Sequence, residues 1–273
     1  MKLGNIFYIS CVGAVAFLVA IDLFTDINSN STNVDSSGST QVPAKQSSAT
    51  PKLASGAVPN FKAIPAGSQR KQAFFSYFLP LIEQRNQELT ELRAQITDLY
   101  HNRTNLSSTQ QQKVIKVAND FDIEGFSLTN DNHWATLLRR VDIVPPSLAL
   151  AQAANESAWG TSRFALKGNN YFGQWCFKKG CGLVPKSRGA GLKHEVAKFN
   201  SPRQSVNKYM HNLNTHDAYF QLRLIREKLR GNEQVVSGLK LSAGLLKYSE
   251  RGAHYVKELN QMIRFNKLDK LDS

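Results

Sequence analysis

The chain has 273 residues, 41% hydrophobic and 20% charged, a balance that excludes wholesale disorder and leaves enough apolar material for one large core or two small ones. Lys and Arg number 34 against 21 Asp and Glu, a formal net charge of +13, so an anionic partner is expected: nucleic acid, acidic lipid or an anionic wall polymer. Charge alone does not choose among these.

Residues 1–25 read as an export segment. Ile6 to Ile21 is apolar behind a single cation, Lys2, with no acid before Asp22. Such a run is a cleaved secretory signal or an uncleaved anchor. Its small-x-small steps, such as Ala14-Val-Ala16, fall inside the run, where cleavage would come too early, which favours the anchor and a membrane association. Residues 26–67 then change character. Asn28-Ser-Asn-Ser-Thr-Asn33 and Ser36-Ser-Gly-Ser-Thr40 offer almost nothing to bury, so a flexible tether is predicted here.

From Gln69 the pattern becomes helical. Phe74, Phe75, Phe78, Leu81 and Ile82 recur near helical spacing, and Pro80 is expected to kink or divide that segment. Leu89, Leu92, Ile96 and Leu99 extend the stripe and read as core. A helix is predicted over 109–121 after a capping stretch at Asn105-Leu-Ser-Ser, and another over 132–141, closed by Val144-Pro-Pro146. Residues 68–145 are taken as an N-terminal helical part and 146–273 as the catalytic region. Ser147 is the expected N-cap of a helix rich in small residues, Leu148 to Glu156. The stretch 171–200 holds too much Gly and Pro for a helix and predicts a small irregular β/loop lobe. Helices return after Ser201-Pro, at 218–229, 241–246 and 253–263. The fold class is mainly α.

Cys176 and Cys181 stand five apart across a Lys-Lys-Gly turn, with no second pair to complete a zinc quartet. A short-loop disulfide is the simplest reading, provided the compartment is oxidising. The histidines at 194, 211, 216 and 254 lack the spacing of a His-Glu-x-x-His site, so no metal and no cofactor is implied.

One stretch carries candidate chemistry. Glu156 is a single carboxylate at the end of a helix of small apolar residues, followed by Ser157 and Trp159. Partial burial there would raise its pKa and keep it protonated, as a general acid requires. Asn169, Asn170, Tyr171, Phe172 and Trp175 follow closely, a mixture of amides and aromatic faces suited to binding sugars. Trp159 reads as core. Lys178, Lys179, Lys186 and Arg188 form a basic lobe face, either merely solvated or drawn to an anionic wall.

Asn155-Glu-Ser-Ala-Trp-Gly-Thr-Ser-Arg-Phe-Ala165 with Asn169-Asn-Tyr-Phe-Gly173 resembles the glucosaminidase family 73 glycoside hydrolases. Lys198-Phe-Asn-Ser-Pro-Arg-Gln-Ser-Val-Asn-Lys-Tyr209 and Tyr248-Ser-Glu-Arg-Gly-x-x-Tyr255 extend the resemblance, in order, over about 70–273. More narrowly, Arg140-Val-Asp-Ile-Val-Pro-Pro-Ser-Leu-Ala-Leu-Ala-Gln and Gly173-Gln-Trp-Cys-Phe are similar to a bacterial subgroup, the Bax proteins. The resemblance implies a lysozyme-like helical fold that cuts β-1,4 bonds after N-acetylglucosamine in peptidoglycan glycan strands. It implies Glu156 as proton donor, Tyr248 as a catalytic cleft residue that positions the substrate N-acetyl group or a water, and Tyr255 as a substrate contact. A second carboxylate is sought on the lobe, and Glu195 is the sole acid between Glu156 and Asp217. If Glu195 does not serve as base, the substrate's N-acetyl oxygen could assist. The expected enzyme is an exported monomer at the envelope, with no nucleic-acid partner. Rivals are a lytic transglycosylase or muramidase on the same fold, and a catalytically idle wall-binding module.

Overall fold

The computed structural model describes residues 57–272, apart from 187 and 190. The expected export segment (1–25) and the first thirty or so residues of the expected tether lie outside the described residues. Among the described residues, no helix is long and apolar enough to cross a membrane.

The tether's expected end at 67 is too late. Phe61 is buried and packs on Phe74 and Phe78 at ring separations of 5.3 and 6.3 Å. An aromatic side chain repays the ordering of its backbone through the apolar area it removes from water. The folded body therefore includes residues ahead of the first helix, α1 (Ser68–His101). Pro80 sits inside α1 without dividing it, which excludes the division among the two expectations. Proline removes one backbone donor and costs about 3 kcal/mol in a helix interior. Here Phe74, Phe78, Leu81, Ile82, Leu89 and Ile96 anchor the helix on both sides of it.

After α1 come α2 (Ser108–Asp120) and α3 (Asp131–Arg140). Ser107 and Gln110 form a reciprocal capping box at the start of α2. The central element is α4 (Pro146–Ser157), in which Ser147 through Ala154 are all buried. A helix covered on every side must be approached closely by its neighbours, and its alanines permit that. α1 packs on one side of it and α9 (Ala253–Phe265), α8 (Gly238–Leu241) and the 3-10 turn Leu268–Leu271 on others. Between them run α5 (Arg163–Gly168), α6 (Pro202–Thr215) and α7 (Phe220–Gly231). One apolar cluster runs from Phe61 to Leu268. The expected division at 145/146 thus cuts through a single core.

Ser147 is not the N-cap that the sequence predicts. The helix starts two residues earlier than expected, at Pro146, and Ser147 donates from its amide (3.0 Å) and hydroxyl (2.6 Å) to the Asp272 carboxylate. Gly238 donates its amide to the same group at 2.9 Å. An anion at this end suits the helix dipole. Proline at 145 and 146 already sets the helix entry, so the serine is released for this long-range bond.

A buried carboxylate, Asp142, ties three helices together. Arg230 grips it with two bonds of 2.5 and 2.7 Å, and Arg226 and Arg93 approach to 3.5 and 3.6 Å. Asn214 donates to its backbone carbonyl. These partners come from α7, α1 and α6.

The lobe is a three-stranded antiparallel sheet with β3 (Glu195–Ala197) between β1 (Trp175–Cys176) and β2 (Gly182–Leu183). Trp175 pairs with Val196, Cys176 with Glu195, and Gly182 with Ala197. A Cβ on Gly182 would lie 2.0 Å from the Val196 carbonyl oxygen, so only glycine allows this pairing.

Candidate active site

Glu156 occupies the last turn of α4 at intermediate exposure. This is the negative end of the helix dipole, the end that favours a neutral acid. The chain then turns sharply through three successive left-handed residues, Ala158, Trp159 and Gly160. Ser157 holds the turn: its hydroxyl donates to the Ala153 carbonyl and accepts from the Gly160 amide. Trp159 packs edge-on against Phe74 and Phe75, in line with its expected core role.

Beneath Glu156 lies a cluster of buried phenols. Tyr255, on α9, donates its hydroxyl proton to Glu156 Oε1 at 2.8 Å. The same hydroxyl accepts from Gln152 Nε2 at 3.0 Å. Gln152 Oε1 accepts in turn from the Tyr209 hydroxyl at 2.6 Å. Tyr248 stacks on Tyr255 with rings 5.4 Å apart and nearly parallel, and its hydroxyl donates to the Phe172 carbonyl at 2.9 Å. Phe172 stacks on Tyr209 at 3.9 Å. Burial, then the nearby Glu156 carboxylate, push the phenols of Tyr255 and Tyr219 upward, so both stay neutral at working pH. For Tyr209 burial acts first, then Tyr219 and Glu156.

The sequence-predicted sugar contacts divide. Trp175 lies on the lobe wall of a cleft of about 920 Å³, its ring stacked on His194 at 3.9 Å. The facing wall is α6, through Gln204, Asn207, Lys208, His211 and Asn212. The lining stops short of Glu156, which lies beyond the buried Tyr209 side of the same helix. Asn170, Tyr171 and Phe172 do not present themselves to a ligand, a correction of the expectation. Tyr171 is core, 4.5 Å from the Phe78 ring. Asn170 spends its amide on the Gln174 and Ala197 carbonyls and its oxygen on the Phe172 and Gln174 amides. Asn169 closes α5 in a left-handed conformation and donates to the Phe199 carbonyl. Tyr248 and Tyr255 are likewise buried and act on Glu156 and its surroundings from below.

Glu195 is also placed differently from expectation. Its two oxygens accept from the Gly180 amide (3.0 Å) and the Gly182 amide (2.8 Å), on either side of Cys181. These backbone donors hold its carboxyl below the usual carboxylate range, with burial opposing and Arg188 and Lys179 adding to the effect. Cys176 and Cys181 form a disulfide with Cα atoms 6.2 Å apart. Carboxylate and disulfide together clamp the 177–181 loop onto β3. These three residues are the group of potential metal ligands among the described residues, and the disulfide removes both thiolates.

Gln152 and Tyr209 escaped the sequence reading as functional residues. A usable signal existed for the first, since Gln152 and Glu156 are four apart and so share a helix face. For Tyr209 nothing local distinguishes a relay phenol from a core aromatic.

The glucosaminidase family, described as mannosyl-glycoprotein endo-beta-N-acetylglucosaminidase, matches residues 131–268. Protein bax of Escherichia coli (strain K12) is 33% identical over 209 residues, which cover 77% of this chain and 74% of that protein. No solved structure matches the chain. The matched segment holds Glu156, its three buried partners and the whole lobe, and with a third of residues shared with protein bax over most of both chains, this protein belongs to the glucosaminidase family.

Proposed function

We propose that the protein is a peptidoglycan hydrolase of the endo-β-N-acetylglucosaminidase type, with Glu156 as general acid. The observation that carries this reading is the Glu156–Tyr255 pair at the end of a buried helix, with Glu156 itself only partly buried. Glu156 gives its proton to the leaving glycosidic oxygen as the bond to the anomeric carbon breaks and oxocarbenium character develops. The carboxylate left behind keeps the hydrogen bond from Tyr255, a charge-assisted contact stronger than a neutral one.

The second half of the reaction is best assigned to the substrate. Both Glu195 oxygens are engaged by backbone amides, which supports a lobe-bracing role over that of a base. The N-acetyl oxygen of the bound sugar then attacks its own anomeric carbon, and water opens the resulting ring intermediate. Such assistance needs an N-acetyl sugar on the non-reducing side of the cut, which N-acetylglucosamine supplies as it becomes the new reducing end. We take the chain to be exported and tethered by its apolar segment 6–21; the disulfide supports this, because such bonds persist in oxidising compartments.

The test is mass spectrometry of peptidoglycan digested by the purified full-length protein and by Glu156→Gln. Hydrated fragments ending in reducing N-acetylglucosamine, absent with the variant, are expected. Anhydro-muramic ends would reassign the protein as a transglycosylase, and reducing N-acetylmuramic ends as a muramidase. No products from either protein would favour a wall-binding module.

A further inference from the structure

We propose that Gln152 is a positioning residue that fixes the direction of hydrogen-bond donation so that the Tyr255 proton always points to Glu156. The inference rests on the reading of Glu156 as the acid. A carboxamide has one accepting and one donating end, and a phenol has a single proton. Tyr209 donates to the oxygen of Gln152, so the amide nitrogen faces Tyr255 and donates to its hydroxyl. Tyr255, already receiving one proton, sends its own to Glu156. Were the amide turned end for end, its oxygen would compete with Glu156 for that proton.

The relay is sealed. Gln152, Tyr209 and Tyr255 are all at most 1% exposed, so bulk solvent cannot stand in for a lost partner. An unsatisfied buried donor or acceptor costs about 1–3 kcal/mol, enough to hold one orientation. Gln152 and Glu156 lie four apart on α4, a rigid element packed on every side, which sets the spacing that Tyr255 spans. Among the titratable groups facing Glu156 are three phenols: Tyr209 from α6, Tyr219 from the turn after it, and Tyr255 from α9, backed by Tyr248. Since these phenols stay neutral, the direction of their protons sets the polarity that the carboxylate meets. A donor aimed at Glu156 favours the carboxylate formed after proton transfer, and so strengthens the acid.

The experiment measures kcat, KM and their pH profiles for the full-length protein, Gln152→Met, Tyr209→Phe and Glu156→Gln, with thermal midpoints alongside. Methionine keeps most of the volume but neither orients nor satisfies the two phenols. For Gln152→Met the expected result is a ten- to hundredfold lower kcat with KM within about twofold, and an alkaline limb moved up by roughly 0.5–1 pH unit. Tyr209→Phe, which frees the amide to turn, should shift the same limb the same way by less. A Gln152→Met protein with a lowered thermal midpoint but unchanged kcat and pH profile would overturn the proposal, reducing Gln152 to packing. If that variant does not fold, Tyr209→Phe decides: an unmoved limb overturns the inference. Turnover surviving in Glu156→Gln would instead sink the acid assignment itself, whereas a dead Glu156→Gln with unaffected relay variants would sink only this inference.

Discussion

Ser147 and Asp272 stand 125 positions apart, yet both the amide and the hydroxyl of Ser147 donate to the Asp272 carboxylate. The helix that carries Glu156 is therefore closed at its start by a side chain from the far end of the sequence. Gly238 shares the bond, and a Cβ at that position would sit 2.1 Å from Ser147 Oγ.

Replacing Asp272 with Ala should destabilise the protein by about 1–2 kcal/mol, the usual cost of a lost N-terminal helix partner. Urea denaturation measures this. The Glu156–Tyr255 bond lies at the opposite end of α4, so kcat per folded molecule should change little.

Asp142→Asn should be far more damaging, about 3–5 kcal/mol, because Arg226 is left buried beside a neutral amide. Burial pushes the Asp142 carboxyl up, but Arg226, Arg230 and Arg93 outweigh it and hold the group below the usual carboxylate range. A carboxyl with a depressed folded pKa contributes stability above its unfolded pKa and loses it as pH falls through the folded one. Urea midpoints should therefore decline below about pH 4 in the native protein. In Asp142→Asn the decline should be shallower; an equal slope would mean that other carboxylates dominate.

Glu195 distinguishes bracing from base catalysis. In Glu195→Gln one backbone amide of the 177–181 loop loses its acceptor, and kcat should fall by less than about tenfold. Azide, which replaces a missing base by attacking the anomeric carbon itself, should restore nothing in Glu195→Ala. Full inactivation with azide rescue would make Glu195 the base. Reduction of the disulfide should resemble Glu195→Gln and cost under ~3 kcal/mol of stability, as expected for so short a loop.

Gly160→Ala probes the turn after Glu156. The position has φ of 77°, and an added Cβ would lie 2.4 Å from a ring atom of Phe61. Strain and overpacking should together cost about 1–3 kcal/mol. Trimming the ring with Phe61→Leu should recover part of the loss in the double variant; strict additivity would show that the two residues act independently.

Much of this architecture was legible in the residues. The capped start of α2, the serine-proline start of α6, the small-residue helix and the stapled lobe each follow from local chemistry. What failed was long-range. Pro80 breaks helices in isolation, and only the apolar anchors on both sides explain its tolerance. Ser147 looked like a cap because Asp272 is invisible to any local window. Asn170, Tyr171 and Phe172 carry groups that suit a sugar, but the same groups suit a core where every polar atom finds a backbone partner. Composition placed residues 59–67 in a tether, since a single phenylalanine weighs little in an average and much in a packed interface.

That phenylalanine has a consequence for where the family's boundaries fall. The segment shared with the glucosaminidase family begins at residue 131, yet Phe61, Phe74, Phe78, Leu81, Ile82, Leu89 and Ile96 lie in the same apolar cluster as α4 and Tyr171. Each such side chain contributes about 1.5–3 kcal/mol when fully buried. Their joint removal would exceed the roughly 5–15 kcal/mol by which a domain holds together. The stretch matched to the family is thus smaller than the single core to which it belongs. A fragment cut at residue 131 would leave that side of α4 open to water.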